Sequence, residues 1–302
     1  MSAGAEPRAE AALSVVIVVF AGGRSVLAPL ESLQQQTIGT SAEVIVVAAS
    51  DKLADDVRHD IGEFAKVVVG PAGAHPAHLR SLGVRAARGR IIACTEDHCV
   101  PASDWCAKII AAHEADAQVI GGAIQKLTPD HAIAWAAYLL EYGRYMPPIS
   151  SGTVAYLSDC NVSYKRRALE EISGVWQDAF HETEVHDSIR SRWGQDALLQ
   201  DPSILVLQSR RPALASFLGE RFAHGRLFAR LRVARYGLPA RLMYSAIALG
   251  LTPLLVIRAV ARALRRNEAR TSALRALPYL TLAAASWSVG ESVGALTPGH
   301  KE

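Results

Sequence analysis

Cysteine is scarce in this chain, and what there is forms no framework. Its 302 residues hold four, Cys94, Cys99, Cys106 and Cys160, with no CxxC pair. That spacing excludes a disulfide scaffold and argues against a structural zinc site, so buried free thiols in a reducing compartment are expected. Acids are scarce in one long stretch: from Arg221 to Arg275 many arginines face a single acid, Glu268. A local basic tract of this kind suits a phosphate-rich partner, although the net charge of the whole chain is only +3. The tract is interleaved with alanine, leucine and valine rather than with stacking aromatics, so no nucleic-acid partner is expected. The opening MSAGAEPRAEAA lacks the apolar core of a secretory signal. Residues 1–12 are therefore expected to be a loose tail, with the catalytic part facing the cytoplasm.

Long apolar runs are also few. A spanning helix needs about twenty apolar residues. Leu242–Ile257 is short and contains Pro253, and Ala276–Leu296 is barely long enough and contains Glu291. Arg258, Arg262, Arg265, Arg266, Arg270 and Arg275 lie between or beside them. Two spanning helices would put this loop on the far side of the membrane, against the positive-inside rule. A hairpin lying in the cytoplasmic leaflet fits better, with Arg258, Arg262 and Arg265 on one helical face; a soluble helical subdomain is the other reading. Ser286, Gly290 and Gly294 recur at intervals of four, a pattern that permits close helix packing.

The first two-thirds alternate short apolar runs with helical patterns. LSVVIVVF (Leu13–Phe20) is β-branched and continuous, as a strand buried on both faces requires. EVIVVAA (Glu43–Ala49), KVVVG (Lys66–Gly70) and RIIACT (Arg90–Thr95) repeat the type, with helical segments between them. Gly89 is a candidate helix C-terminal glycine. This order predicts an α/β fold with a mostly parallel, doubly wound sheet and flanking helices. TVAYLSDCNVSYKRRALEEI reads as a strand, a polar turn and a short helix, and PSILVLQ as a further strand. A glycine- and lysine-rich opening loop, as in a nucleotidyltransferase, is absent.

Ligands in such sheets sit beyond the carboxyl ends of the strands. Glu96, Asp97 and His98 follow the fourth strand at such an end. Carboxylates with an imidazole can hold a divalent cation there; a polar turn capping the next helix is the bland alternative.

Taken in order, these pieces resemble family 2 glycosyltransferases of the GT-A fold over roughly residues 13–230. SVVIVVFAGGRSVLAPLESLQQQT matches the family's first strand, nucleotide-contacting turn and helix. EVIVVAASD stands at the second strand, and HLRSLGVRAARG matches a following helix through Arg80, Gly83, Ala87 and Gly89. TEDHCVP takes the place of the acidic metal motif. SDCNVSYKRRALEEISGVW looks like the acceptor-side segment, and HETEV resembles the motif that carries the base.

The resemblance implies a catalytic domain over 13–215 and a basic helical region with a membrane-associated hairpin over 216–302. It implies an inverting transferase that moves a sugar from a nucleotide-diphosphate donor to a glycan or lipid-linked acceptor at the cell membrane. Glu182 would be the base. His98, Asp97 and Glu96 would hold Mn²⁺ or Mg²⁺, the imidazole tilting the choice to Mn²⁺. Binding should weaken as His98 protonates near its ordinary value of about 6.5. Phe20, Ala21, Ala49, Asp51, Arg80 and Asp97 fall on the donor side, and Asp159, Asn161 and Trp176 on the acceptor side. Arg80 has two readings, a diphosphate ligand or a structural ion pair. His181 and His186, flanking the Glu182 helix, read as surface residues. Two departures fall on the donor-base side: the family's paired aspartates are Ala48 and Ala49, and its asparagine is Ala21. They support an alternative, a catalytically silent glycosyltransferase-like binding protein. Homo-oligomer formation is left open by the sequence.

Overall fold

The computed structural model describes residues 11–19, 23–61, 64–127 and 131–297, which fall into two units. The first unit comprises residues up to 125 together with 145–209. Strand β1 (Leu13–Val19) is buried at every position, because continuous valine and isoleucine can only sit between two covered faces. Helix α1 (Leu27–Thr40) leads to β2 (Ala42–Ala48), α2 (Asp51–Ile61) to β3 (Lys66–Val69), and α3 (Pro76–Ala86) to β4 (Ile91–Glu96). These four strands are parallel, in the order β3-β2-β1-β4. The expected α/β architecture is therefore present.

β5 (Cys99–Pro101), α4 (Trp105–Ala112) and β6 (Val119–Lys126) follow β4. Then come α5 (Ala132–Glu141), β7 (Gly152–Thr153), β8 (Val162–Lys165), α6 (Arg166–Glu171), α7 (Ser173–Trp176), α8 (Glu182–Trp193) and β9 (Leu198–Gln208). The sheet continues from β4 through β8, β6, β9 and β5, with β7 on β9. Beyond β4 the strands pair antiparallel: β8 with β4 and β6, and β5 and β7 with β9. In the segment read as strand, turn and helix, the turn comes first. SDCN precedes the four-residue strand β8, which pairs with β4.

Gly89 does not cap α3, which closes on Ala87 in an extended conformation. A Cβ on Gly89 would lie 2.5 Å from the Ser14 nitrogen, so its role is close approach to β1. Two buried histidines stay neutral in this unit. His113 Nε2 lies 2.8 Å from Ser163 Oγ, and burial with Lys165 nearby holds its pKa down to about 3. His186 is fully buried with Nε2 3.1 Å from the Tyr164 hydroxyl, and burial holds it down to about 4. It is thus not the surface residue expected.

Both folded-state values lie below the unfolded one, so the unfolded chain takes up these protons first. Stability should be full above pH ~6.5 and fall toward pH 4 for His186 and pH 3 for His113, by on the order of 3–5 kcal/mol per histidine. Urea unfolding at several pH values checks this. His113→Asn should lower stability at neutral pH yet flatten the acid slope, and an unchanged slope would contradict the assignment.

The second unit comprises residues 126–144 and 210–302. Helix α5 joins it, together with α9 (Leu214–Val233), α10 (Leu238–Gly250), α11 (Thr252–Leu264) and α12 (Asn267–Leu296). The division after residue 209 places residues 126–144 with these C-terminal helices. Helix α12 is the centre of this bundle, packed on α9, α5, α10 and α11. Its small-residue stripe meets α9 directly. A Cβ on Gly290 would lie 2.1 Å from the Phe222 carbonyl oxygen and one on Gly294 2.2 Å from that of Arg226, while Ser286 Oγ donates to the Leu218 oxygen at 2.8 Å. The run Ala276–Leu296 therefore packs its small residues against α9, while Leu282, Val289 and Val293 are exposed. No single described helix is long and apolar enough to cross a membrane; α10 and α11, bent by 45°, meet that test only together.

Candidate active site

Strand β4 ends on Glu96, and the parallel strands around it fix the direction in which the next residues leave the sheet. Glu96 and Asp97 are buried and His98 is 12% exposed at its side chain. The imidazole is held from both sides. Its Nε2 lies 3.2 Å from Glu96 Oε2, and its Nδ1 lies 3.1 Å from Asp97 Oδ1. The other Asp97 oxygen accepts a 2.6 Å hydrogen bond from Ser25 Oγ, in the turn after β1. Ser25 has no conspicuous motif of its own. Its place in the AGGRS turn facing the strand ends is the only signal the sequence offers.

Glu96 faces a second group as well. Arg80, 3% exposed on α3, places Nη2 3.5 Å from Glu96 Oε1 and 3.0 Å from Asp159 Oδ2. Its Nη1 lies 3.6 Å from Glu182 Oε2, at the start of α8. One guanidinium thus gathers three carboxylates from β4, the loop before β8, and α8. This is the ion-pair reading of Arg80; the diphosphate reading gives way because both terminal nitrogens face carboxylates inside the fold.

The electrostatics follow from burial. Desolvation works against the Arg80 charge, but Asp159, Glu182 and Glu96 outweigh it and raise its pKa. Burial, and then the Asp159 charge, push Glu96 up to about 7, with His98 and Arg80 opposing. The same two causes raise Glu182, and Arg80 opposes them. A carboxyl that titrates above its ordinary range, 35% exposed and at a helix start, suits proton abstraction.

The residues here fit a divalent cation. Ligand atoms of Glu96, His98 and Cys99 lie within 4.8 Å of one another. Burial and the hydrogen-bonded Cys160 hold the Cys99 thiol well above its ordinary pKa, so it is a protonated neighbour at neutral pH. A carboxylate with a neutral imidazole suits Mn²⁺ better than Mg²⁺. Asp97, expected among the ligands, turns instead to the far side of the imidazole.

Other expected residues separate. Asn161 is buried, its Oδ1 accepting from Trp105 Nε1 at 2.9 Å and its Nδ2 donating to the Ala123 and Ile204 carbonyls at 2.8 and 3.0 Å. All its capacity for direction is used in holding α4, β6 and β9, so it leaves the acceptor list. Trp176 is 6% exposed in the core beside Phe180, and its Nε1 donates to the Leu169 oxygen at 2.8 Å. It leaves that list too. Asp159 is 29% exposed at its side chain. Ala49 follows β2 and Asp51 opens α2 in an exposed position. No ion pair among the described residues ties Asp51 to the cluster. Phe20 and Ala21 lie outside the described residues.

Residues 14–173 match the model of the family described as glycosyl transferase family 2, more than half of the chain. The chain belongs to glycosyl transferase family 2. Comparison of this glycosyltransferase with curated proteins gives no match. Among solved structures it is similar to the mannosyltransferase PcManGT from Pyrobaculum calidifontis, solved in complex with GDP-Man and Mn²⁺. The TM-score is 0.54 at 14% identity, over 94% of this chain and 87% of that one. A weaker likeness is to S. aureus TarS 1-349, with a TM-score of 0.48 at 10% identity over 91% and 90%. At these identities the glycosyltransferase shares the fold with PcManGT, the GT-A architecture. Glu182 lies beyond the matched family segment, so its place in the site rests on the Arg80 contact.

Proposed function

We propose that this glycosyltransferase is an inverting, Mn²⁺-dependent enzyme. In this reading it transfers a sugar from a nucleotide-diphosphate donor to a glycan or lipid-linked acceptor at the cytoplasmic face of the cell membrane. The observation that carries the reading is the continuous run of contacts His98–Glu96–Arg80–Glu182. It joins the cation-type residues at the end of β4 to a carboxyl with a raised pKa on α8. A bound cation would supply neutralisation of the charge on the leaving diphosphate.

The protein's own side chains do the rest. Glu96 and His98 offer the ligands, Asp97 fixes the imidazole, and Arg80 holds Glu182 and Asp159 at a set spacing. Glu182 takes the acceptor hydroxyl's proton as the oxygen attacks the anomeric carbon, and the nucleoside diphosphate leaves from the opposite face. Because Glu182 must be ionised, activity should fall as the pH drops through its raised pKa. Support for the membrane and the lipid-linked acceptor comes from the apolar, arginine-flanked helices of the second unit.

A screen of nucleotide sugars for Mn²⁺-dependent hydrolysis or transfer tests the reading. One donor class should be consumed with Mn²⁺ and spared with chelator. Consumption that ignores the chelator would overturn the metal assignment. Asp97→Asn should weaken Mn²⁺ about 10–100-fold, as loss of a carboxylate behind a ligating imidazole does. Electron spin resonance of free Mn²⁺ reads this directly, and unchanged affinity would contradict it.

A further inference from the structure

Helices α10 and α11 of the second unit are built with their polarity reversed. In water a helix buries its large apolar residues and shows its polar ones. Helix α10 does the opposite. Leu238, Leu242, Met243, Ile247 and Leu249 face outward, with Met243 63% and Ile247 54% exposed. Its inward face carries Arg241, whose Nε donates to the Ala295 oxygen at 2.7 Å, and Ser245, 2.6 Å from Ser292 Oγ. Next to them the Tyr244 hydroxyl donates to Glu291, and Trp287 Nε1 donates to the other Glu291 oxygen at 2.9 Å. Thr252 Oγ1 continues the seam to Ser288 Oγ at 3.0 Å.

The core between α10, α11 and α12 is made largely of small residues: Ala248, Ala259, Ala263, Ala276 and Ala283 are buried. Leucine, isoleucine and valine lie outside, at Leu254, Ile257, Leu282, Val289 and Val293. Small residues and hydrogen-bonded polar groups inside, with large apolar ones outside, is the packing helices adopt when their surroundings are hydrocarbon. An apolar surface this continuous exceeds what a soluble monomer leaves uncovered.

Charge identifies the occupant. On α11 and at its C-cap the exposed Arg258, Arg262 and Arg265 adjoin Ile257 and Leu264, which are 63% and 40% exposed. Arg270 and Arg275 extend the basic rim along the start of α12. From Arg221 to Arg275 the sequence sets a single acid, Glu268, against them, and Glu291, the acid of the inner seam, is buried. Apolar side chains bordered by arginines match the boundary between acyl chains and anionic headgroups, whereas a second copy of the same basic rim would repel it.

We infer that the outer face of α10 and α11 sits within one leaflet of an anionic bilayer, with the α11 arginines at the headgroups and the Tyr244–Glu291–Ser292 seam as internal glue. This deepens the membrane part of the proposed function and rests on no catalytic residue, so the donor screen, run without lipid, fails or succeeds separately.

The test is flotation of the full chain with phosphatidylcholine vesicles, with and without about 30% phosphatidylglycerol. The chain should float with the anionic vesicles. Ile247→Asp should weaken partition more than tenfold while the circular dichroism and melting temperature stay unchanged, because the side chain faces outward. Replacing Arg258, Arg262 and Arg265 together with glutamine should weaken binding to the anionic vesicles on the order of 100-fold. An environment-sensitive label at Ile247→Cys should shift to the blue on vesicle addition. A chain that stays in the aqueous fraction would overturn the inference. So would a dimer that vesicles do not compete with and that Ile247→Asp dissolves, since the face would then belong to a second copy.

Discussion

Glu182→Gln should lower kcat by about 100- to 10,000-fold while leaving donor affinity within a few-fold, the range expected when a general base is lost. The side chain stands 3.6 Å from Arg80 and is partly exposed, so the amide fills the same space and keeps one polar contact. Folding should therefore survive, and the loss should fall on the chemical step. Burial and the Asp159 charge hold the Glu182 pKa above the carboxylate range, and Arg80 limits the rise. The wild-type rate should consequently lose its acid limb at a higher pH than a free glutamate would give, and the variant should lack that limb. Single-turnover measurements from pH 5 to 8 separate the two. A variant with full activity and an unchanged profile would remove Glu182 from the mechanism.

Arg80→Met should cost stability on the order of 3–5 kcal/mol, the usual result of removing one partner from buried charges. Three carboxylates would then lose the guanidinium that joins them: Glu96, Asp159 and Glu182. The sign with pH follows. Without the guanidinium the folded-state pKa values of Glu96 and Glu182 rise further above their unfolded values. The neutral forms then favour the fold, and that relief is lost as the pH rises through the folded values. The deficit should be largest above neutrality and shrink toward pH 5. Denaturant unfolding of both proteins across that range checks it. A deficit independent of pH would mean that Arg80 acts by packing alone. Arg80→Lys should recover part of the stability, because a point charge can answer only some of the three partners.

The parallel half of the sheet was legible because β1, β2 and β4 are short apolar runs rich in valine and isoleucine, as strands buried on both faces are. The antiparallel half was harder: β5, β7 and β8 have only three, two and four residues, too short for periodicity to register. The TEDH motif announced itself because three ligand-type side chains directly follow an apolar strand. Arg80 did not show its role. Its partners stand 16, 79 and 102 positions away, and nothing local to α3 says which acids will meet it. Asn161 misled for a related reason. A polar residue in a motif looks like a site, whereas burial with three hydrogen bonds makes it a tie between α4, β6 and β9. The C-terminal apolar runs and arginines were plain in the sequence. The inward serines, Tyr244 and Glu291 on the polar seam behind α10 could be paired only once α10 lay against α12.

The central claim is that a cation at the end of β4 and Glu182 address one nucleotide-sugar donor. It is tested most directly by anomalous diffraction at the manganese edge from Glu182→Gln crystals soaked with Mn²⁺ and the donor selected in the screen. The account predicts a manganese peak bonded to Glu96 and His98, touching the donor's diphosphate, with the sugar's anomeric carbon facing residue 182. A peak bound to neither Glu96 nor His98, or a diphosphate seated away from the end of β4, would contradict it.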